Sequence, residues 1–344
     1  MTPTNLELRE FINQYFSDEE LEALCFDYFP EALNDFGGGM SKSRKVIVLI
    51  GHCERRDRLA DLHAALMRER DEAWNRAFAS SVDHARERQM PKSDRRIHAK
   101  TGIELIRIPA GPFFYGSSDA DTMARDNEKP QRTIDLPEYW IGHYPVTNAQ
   151  FARFIQATNH KTTARYKGSG RTRIGSDHWA GVKGADWHHP GGPTTSIEYK
   201  AAYPVVQVSW YDAKAFCDWA GLMLPTEEQW EKAARGTDGR IWPWGDDPPT
   251  VERCNFDRNV GDTTPVGKYS PQGDSPYGCA DMAGNVLEWA ASWYAQNLRP
   301  ALRGGSWDCN DQDTRIACRG DDNPDHRGDN IGFRVVELLS DPAS

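Results

Sequence analysis

Residues 79–100 contain almost no large apolar side chain, and this stretch limits the folds open to the chain more than any other feature. It reads ASSVDHARERQMPKSDRRIHAK and is polar and basic. Such a stretch is typical of a linker or a solvated helix, because it offers little that a core could bury. A chain of 344 residues interrupted in this way is expected to form two domains, residues 1–78 and residues 101–344.

Residues 5–78 have the apolar spacing of helices. Their first apolar face consists of Leu8, Phe11, Ile12 and Tyr15. Ser17 with Glu20 forms a capping box before the next apolar stretch. The sequence therefore predicts a small all-α bundle. It is interpreted either as an adaptor that binds a partner or as a bundle whose charges serve only solubility.

From Thr101 onward the sequence changes to short apolar stretches, aromatic residues and Gly/Pro turns. Residues 103–109 and 111–116 are predicted to pair as a hairpin around the turn Pro-Ala-Gly-Pro. Three helices are predicted by their capping boxes, which are Thr147 with Gln150, Ser209 with Asp212, and Thr226 with Gln229. The larger domain is thus expected to be α+β with much irregular chain, and long irregular segments usually carry function or bind ions.

The net charge of −10 argues against broad binding to nucleic acid. No apolar run approaches the ~18 residues that a membrane span needs. The N-terminus lacks the pattern of a signal peptide. Seven cysteines without framework spacing fit a reducing compartment, so we expect a cytoplasmic protein with no membrane span and no nucleic-acid partner.

A long polar segment lies between two apolar stretches near the end of the chain. Trp307 and Ile331 border it, and Ile316 is the only large aliphatic residue between them. Residues 303–307 and 331–336 read as buried strands. A segment of this composition contributes little to a core, so it is predicted to be a surface held by the two strands. Arg315, Arg319 and Arg327 are predicted to pin it through hydrogen bonds to carboxylates or carbonyls.

Seven stretches resemble the sulfatase-modifying-factor domain of formylglycine-generating enzymes, a variant of the C-type lectin fold. They are RIPAGPF at 107–113, YPVTNAQF at 144–151, PVVQVSW at 204–210, LPTEEQWE at 224–231, PWG at 243–245, MAGNVLEW at 282–289 and RGGSW at 303–307. They occur in the family's order over about residues 101–338. The resemblance implies an α+β domain of C-type lectin type that follows the small helical bundle.

The resemblance also implies where a catalytic site would lie. Formylglycine-generating enzymes bind copper with two cysteines five positions apart, just after the Gly-Gly-Ser strand, and thiolates suit Cu(I). Here Cys309 stands at the first position and Thr314 at the second, while Cys318 lies nine residues beyond Cys309. We therefore expect no enzyme activity and no copper. A copper-dependent thiol oxidase that acts on protein cysteine remains the alternative.

The pattern W-x(23)-IGFRVV resembles the variable segment of target proteins of diversity-generating retroelements, in which adenine-directed mutagenesis changes Asn codons. This resemblance implies a variable segment over 303–336 that binds an unknown protein or a small polar ligand. Its expected variable positions are Asp308, Cys309, Asn310, Asp313, Cys318, Gly320, Asp322, His326, Gly328 and Asp329. An ordinary polar loop without a selected partner is the plainer alternative.

The sulfatase-modifying-factor resemblance further implies structural Ca²⁺, an ion that prefers oxygen ligands. One set falls on Asp281, Gly284, Val286 and Glu288, and a second on Asn255, Phe256 and Asp262. The spacing to Asp262 is shorter than the family's. The alternative is that Asp281 is a turn residue and Glu288 a buried, hydrogen-bonded carboxylate.

The N-terminal stretches LREF at 8–11 and FSDEELEALCFD at 16–27 resemble a bacterial effector-associated, Death-like helical domain. That resemblance implies an adaptor that contacts a similar helical domain. Taken together, the sequence predicts a cytoplasmic bacterial or phage-derived protein. Its helical domain would couple a non-catalytic, ligand-binding lectin-like domain to signalling or defence.

Overall fold

The computed structural model describes residues 5–70 and 94–339, except 34, 38, 57, 120, 176–177 and 295–298. The chain divides into two compact units, residues 1–89 and 90–344. Residues 71–78 of the predicted helical domain and 79–93 of the predicted linker lie outside the described residues. No helix in the described ranges is long and apolar enough to cross a membrane.

The first unit contains five described helices. They are α1 (Asn5–Tyr15), α2 (Asp18–Tyr28), α3 (Pro30–Leu33), α4 (Lys42–Arg55) and α5 (Leu59–Glu69). Ser17 caps α2 in a capping box with Glu20, as predicted. Apolar residues from all five helices form one core, with Leu8, Leu21, Ala32, Leu49 and Leu62 among its members.

The second unit begins earlier than the sequence suggested. The prediction that the linker extends to residue 100 is wrong, because β1 (Arg95–Ile97) pairs antiparallel with β2 (Glu104–Ile108). Asp94 also accepts a hydrogen bond from Arg107 at 2.7 Å. Polar side chains flank this strand because it lies at a sheet edge, where apolar periodicity is weak.

Two four-stranded sheets form the framework of the second unit. The first has the order β1-β2-β5-β12, with β5 at Tyr139–Gly142 and β12 at Val336–Leu338. The second has the order β10-β9-β8-β11, with β8 at Leu287–Tyr294, β9 at Arg299–Arg303, β10 at Arg319–Asp321 and β11 at Ile331–Phe333. Strand β11 is parallel to β8, and the other pairs are antiparallel.

Two hairpins complete the strands. They are β3 (Gly111–Tyr115) with β4 (Arg132–Leu136), and β6 (Ser169–Ile174) with β7 (His178–Lys183). The predicted hairpin between 103–109 and 111–116 is wrong, since β2 pairs with β5 and β3 with β4. Lys232 donates to the carbonyls of Pro109 and Gly111, so the turn packs on a helix while the chain passes from one sheet to another.

Four helices pack on the sheets. They are α6 (Asn148–Thr158), α7 (Thr163–Lys167), α8 (Trp210–Ala220) and α9 (Glu227–Arg235). The capping boxes predicted at Thr147, Ser209 and Thr226 are all present. Phe151 and Phe216 stack in the main core, and Phe333 meets them edge to face. The same core takes in Trp289 and Leu302 of the second sheet. This core therefore supports the strands that border the polar segment.

Candidate functional site

The polar segment leaves the second sheet after β9, rejoins it as the short strand β10 and ends at β11. Gly304 and Gly305 begin it with φ of 92° and 70°. A Cβ at Gly304 would lie 2.9 Å from the Trp230 ring, and one at Gly305 would lie 2.9 Å from the carbonyl oxygen of Asp313. Glycine is thus required at this exit, which fixes the direction in which the segment starts.

Arginine side chains hold the segment against the unit. Arg315 is fully buried and donates to Asp121 and Glu128, in each case at 2.7 Å. Arg319 donates to both carboxylate oxygens of Glu227, at 2.8 and 2.6 Å. Charge-assisted bonds of this kind are short and directional, so they place the middle of the segment accurately.

Two further arginines act at the ends of the segment. Arg327 donates twice to the carbonyl oxygen of Ser169, at 3.1 and 2.7 Å. Arg303, at the end of β9, is buried and pairs with Glu227 and Glu231 of α9. The prediction that the three arginines within the segment pin it to carboxylates or carbonyls is confirmed.

Cys309, at the first position of the cysteine pair that the resemblance implies, carries a protonated thiol. Cys309 lies with its Sγ 3.2 Å from the hydroxyl oxygen of Ser306, and burial raises the pKa of the Cys309 thiol to about 12. Thr314 is fully buried, and its hydroxyl donates to the carbonyl of Asp311 at 2.9 Å. The second position of the cysteine pair therefore holds a hydroxyl that is already used inside the protein.

Cys318 makes contacts of its own. Arg125 donates to its Sγ at 3.4 Å, and Asp313 lies 3.9 Å from the same sulfur. Burial raises the pKa of the Cys318 thiol to about 11. Since the thiolate is the form that binds metals and acts as a nucleophile, both thiols are held in the unreactive form at neutral pH.

A polar cluster lies beneath the two ends of the segment; we call it the Asp308 cluster. It consists of Arg173, Ser306, Asp308, Asp329 and Asn330. The side chain of Asp308 is 6% exposed and accepts hydrogen bonds from Ser306 at 2.7 Å, Asn330 at 3.0 Å and Arg173 at 3.2 Å. The cluster thereby ties the start of the segment to its end and to strand β6.

Asp329 is the least satisfied member of this cluster. Its Oδ2 accepts the backbone N–H of Arg173 at 3.2 Å, while its Oδ1 is buried without a hydrogen-bond donor in the described part of the chain. Burial raises the pKa of Asp329 to about 7, and the neighbouring carboxylates of Asp308 and Asp262 add to the effect. This carboxyl group can therefore gain or lose a proton near neutral pH.

The ten predicted variable positions do not form one uniform surface. Three are interior, because Cys318 and Gly328 are buried and the Asp308 side chain lies within its cluster. Seven are exposed or partly exposed, namely Cys309, Asn310, Asp313, Gly320, Asp322, His326 and Asp329. We call these seven residues the display positions. Cys309 lies near the Asp308 cluster and Asp329 belongs to it, whereas Asp322 and His326 are paired at 3.3 Å in the loop between β10 and β11.

The two glycines in the predicted set have different surroundings. A Cβ at Gly320 would have no neighbour closer than 3.8 Å, where it meets Leu302. A Cβ at Gly328 would lie 2.7 Å from the side-chain oxygen of Asn330, whose amide donates to Asp308. Gly320 can thus accept a side chain, but Gly328 cannot do so without disturbing the Asp308 cluster.

The sequence analysis did not identify Gln207 or Arg173. Gln207 is fully buried with φ of 58°, and its backbone N–H donates to the carbonyl of Gly328 at 2.8 Å. Its side-chain amide donates to the carbonyls of Arg171 and Pro190, each at 2.7 Å. A lone polar residue in the apolar run Pro-Val-Val-Gln-Val was the available signal for Gln207. Arg173 lies too far away in sequence to be linked with the segment.

The first predicted calcium set does not fit a cation. Glu288 is buried and accepts from Arg334 at 2.6 and 2.7 Å and from Trp230 at 2.8 Å. Arg334 also donates to the carbonyl of Asp281 at 3.3 Å. A guanidinium group thus already satisfies the carboxylate that calcium would need. Gly284 and Val286 contribute only backbone carbonyls to this set.

The second predicted set fits better. Asn255 is fully buried and its Oδ1 meets no hydrogen-bond donor among the described residues, although its amide donates to the carbonyl of Asp262 at 2.8 Å. The carboxylate of Asp262 is instead paired with Lys200 at 2.7 Å, and the Phe256 carbonyl accepts from Asn259 at 2.9 Å. Within the described ranges no three His, Cys, Asp or Glu side chains are grouped to hold a metal ion.

Two family matches cover most of the chain. Residues 90–339 match the sulfatase-modifying factor enzyme 1-like domain, and residues 8–70 match effector-associated domain 7. Both agree with the resemblances that the sequence motifs carry.

Individual proteins give the same result for the larger part. The formylglycine-generating enzyme of Streptomyces coelicolor is 35% identical over 280 residues, which are 67% of this chain and 88% of that protein. The inactive C-alpha-formylglycine-generating enzyme 2 of Bos taurus is 36% identical over 275 residues, 70% of this chain and 90% of that protein. PvdO from Pseudomonas aeruginosa shares the fold, with a TM-score of 0.58 and 24% identity over 71% of this chain and 98% of its own.

Proposed function

The chain belongs to the sulfatase-modifying factor enzyme 1-like family, and from this premise we propose that its larger unit binds a ligand without catalysing thiol oxidation. The family includes proteins named as enzymes and proteins named as inactive, so membership leaves the chemistry to the residues at the site.

The observation that carries the proposal is the chemistry of Cys309 and Thr314, which stand at the two cysteine positions of the family. A soft Cu(I) site needs two thiolates. Thr314 offers a buried hydroxyl instead of the second thiolate, and the Cys309 thiol is protonated at neutral pH. Cys318 is engaged by Arg125, so it does not replace the missing ligand in this arrangement.

The binding surface that we propose is the set of display positions. Three of the seven, Asn310, Asp313 and Asp322, carry a carboxylate or an amide that is at least partly exposed. Arginines fix the backbone that presents them, so little conformational entropy would be lost when a ligand binds. A protein or small polar ligand with a cationic group is the partner that suits these carboxylates best.

Variation of this surface between copies of the gene is part of the proposal. The retroelement-like pattern W-x(23)-IGFRVV motivates it, and the exposure of seven of the ten positions is compatible with it. A nearby reverse-transcriptase gene and a near-copy of the codons for 303–336, differing only at adenines, would establish it. Without such a repeat, the segment is an ordinary binding loop.

For the smaller unit we propose an adaptor role in a cytoplasmic, bacterial protein. The match to effector-associated domain 7 supports contact with another helical domain. Cysteines that are all free support a reducing compartment. Calcium at Asn255 and Phe256 is also a proposal, supported by the buried acceptor of Asn255. Calorimetric titration with Ca²⁺ tests it.

Cu(I) titration under anaerobic conditions, followed by an oxygen-consumption assay in air-saturated buffer, tests the non-catalytic proposal most directly. We expect the protein to bind Cu(I) no more tightly than its Cys309→Ser variant and to consume no oxygen when a cysteine peptide and a reductant are added. Thiol oxidase remains the second candidate because Cys309 stands at the family's first position. Stoichiometric tight Cu(I) binding that is lost in Cys309→Ser, together with oxygen consumption, would establish the oxidase.

A further inference from the structure

One short stretch of the second unit is strongly basic, although the chain as a whole is acidic. Residues 161–183 contain six lysines and arginines and a single aspartate, against a net charge of −10 for the whole chain. They form helix α7 and the β6–β7 hairpin. The polar segment has the opposite excess, with seven aspartates and three arginines between residues 308 and 329.

The polar segment pairs with this hairpin along the free side of β6. Arg171 of β6 forms a parallel bridge with Gly328. The backbone N–H of Arg171 donates to the carbonyl of Arg327 at 3.2 Å, and the N–H of Asp329 donates to the carbonyl of Arg171 at 3.1 Å. Strand β6 therefore lies between β7 and the segment, so the basic stretch directly borders the display positions.

One face of the hairpin presents two exposed cations. Arg171 lies opposite Gly181 in the pairing, and its diagonal neighbours on β7 are Trp179 and Lys183. Arg171, Gly181 and Lys183 are exposed, and Trp179 is partly exposed. A Cβ at Gly181 would meet no described atom within 4 Å, so the space beside Arg171 is open. We call these four residues the hairpin face.

The two cations of the hairpin face have hydrogen-bond donors to spare. In the described part of the chain, no ion pair engages Arg171 or Lys183. Arg173, the next residue on the same face, is by contrast paired with Asp308 at 3.2 Å. Arg171 donates to the carbonyl of Trp179 at 3.4 Å, which leaves most of the five N–H donors of its guanidinium unused.

The spacing of the two cations suits an extended acidic peptide. Diagonal neighbours on one face of an antiparallel pair are about 7–8 Å apart. Alternate side chains of an extended peptide lie on one side and are separated by roughly 6.5–7 Å. Carboxylates at such positions would meet Arg171 and Lys183 in turn. A nucleic acid suits the surface less well, because its phosphates would continue past the hairpin onto the aspartates of the polar segment.

The positive charge of the hairpin face passes over into the negative charge of the display positions. Burial lowers the pKa of His326, and the nearby charge of Arg171 adds to this lowering. The imidazole of His326 lies 3.3 Å from the carboxylate of Asp322. The surface therefore changes from a cation at Arg171 to an anion at Asp322 across one neutral histidine.

We propose that the ligand of the display positions is a protein segment with acidic and basic residues side by side, and that Arg171 and Lys183 bind its acidic residues. The proposal deepens the proposed binding function and rests on it. The acidic side chains would lie beside Trp179 in the space at Gly181, and a basic side chain would reach Asp322. Because the hairpin lies outside residues 303–336, it supplies a constant part of the binding surface next to positions that are expected to vary.

Binding of three fluorescent octapeptides to the full-length protein tests this arrangement. One peptide alternates Glu with Gly, one alternates Lys with Gly, and one joins a Glu-Gly half to a Lys-Gly half. In fluorescence anisotropy at low salt, we expect the mixed peptide to bind most tightly. Arg171→Gln with Lys183→Gln should weaken binding of the mixed and the Glu peptides by roughly tenfold or more and leave the Lys peptide unaffected.

Arg132→Gln with Lys268→Gln is the matched control for the hairpin variant. Both residues are exposed cations elsewhere in the second unit, so the net charge changes equally. This variant should keep the peptide affinities of the wild type. Thermal unfolding shows whether each double variant has folded, which we expect because all four side chains are exposed.

The contrary results are specific. Equal losses in the two double variants would mean that affinity depends on net charge alone. Failure of the Glu and mixed peptides to bind, or binding that the hairpin variant leaves unchanged, would exclude the hairpin face as their site. If a twelve-nucleotide single-stranded RNA bound more tightly than the mixed peptide and lost this affinity in the hairpin variant, the partner would be a nucleic acid instead.

The proposal for the hairpin face and the proposed binding function can fail separately. Asp322→Asn should weaken the Lys and mixed peptides but not the Glu peptide, since it changes only the display positions. A clear effect of Asp322→Asn without any effect of the hairpin variant would overturn the role of the hairpin and leave the display positions as the binding surface.

Discussion

Asp329 couples the stability of the protein to pH. The pKa of its carboxyl group is raised to about 7 in the folded state by burial, against an ordinary value of 3.8. A folded-state pKa above the unfolded value stabilises the protein at low pH, and this contribution is lost as pH rises through 7. Above that pH, folding must bury an ionised carboxylate whose Oδ1 has no donor.

We predict that Asp329→Asn removes this penalty. The amide oxygen can still accept from the backbone of Arg173, so the contact is kept. The free energy of unfolding should equal that of the wild type near pH 4 and exceed it by about 1–3 kcal/mol at pH 8. Urea denaturation at pH 4, 6 and 8 measures the difference.

Asp311→Asn is the control for this experiment, because Asp311 is exposed in the same segment. Its stability should follow the wild type at every pH. A constant difference between Asp329→Asn and the wild type from pH 4 to 8 would mean that Asp329 titrates normally and that its surroundings are more polar than we describe.

The loops between β9 and β11 divide into parts that tolerate change and parts that do not. The run from Thr314 to Cys318 is the buried part of the segment, and Arg315 within it pairs with buried carboxylates. Removing one partner of a buried ion pair typically costs ~3–5 kcal/mol because it leaves an unpaired charge. Display positions other than Asp329 hold no buried charge, so they carry no such penalty.

The two glycines make this division measurable at the level of single loops. We predict that Gly320→Ala changes the free energy of unfolding by less than ~0.5 kcal/mol, since the new methyl group meets open space. Gly328→Ala should cost ~1–3 kcal/mol, because its methyl group would displace Asn330 and break the Asp308 cluster. Thermal unfolding of the two variants provides the comparison, and equal losses would contradict the packing at Gly328.

Local signals in the sequence predicted the helices well and the strand pairing poorly. A capping box is written into four consecutive residues, so Ser17, Thr147, Ser209 and Thr226 could be placed without knowledge of the fold. The partner of β2 is β5, more than thirty residues away, and nothing near the Pro-Ala-Gly-Pro turn encodes that choice. The edge strand β1 was missed for a similar reason, since its residues are polar.

The site was predicted in part. The family motifs identified the segment and the replaced cysteine, and the charge of its arginines predicted their anchoring role. Exposure was overestimated, because Cys318 and Gly328 look like loop residues in a polar sequence, whereas in the structure both are buried, Cys318 with Arg125 at its sulfur and Gly328 in a bridge to Arg171 of β6. Likewise, the resemblance implied that Glu288 is a calcium ligand, but Arg334, 46 positions later, forms an ion pair with its carboxylate.

At the scale of the whole molecule, the two units have separate hydrophobic cores. The sulfatase-modifying-factor-type domain of C-type lectin fold and the effector-associated helical domain were both predicted from motifs, and both are confirmed. The larger unit carries its folding energy in the aromatic core and the buried arginine pairs. Most display positions of the segment lie outside these pairs, as the proposed role in recognition requires.

Substitution of every residue from 308 to 330, followed by protease resistance of the displayed full-length protein, measures this separation. We expect most substitutions at the seven display positions to leave the protein folded. Most substitutions at Asp308, Thr314, Arg315, Ile316 and Gly328 should destabilise it by ~1–5 kcal/mol. Similar losses at both sets would show that the exposed part of the segment belongs to the folding core, which would contradict its role as a surface free to vary.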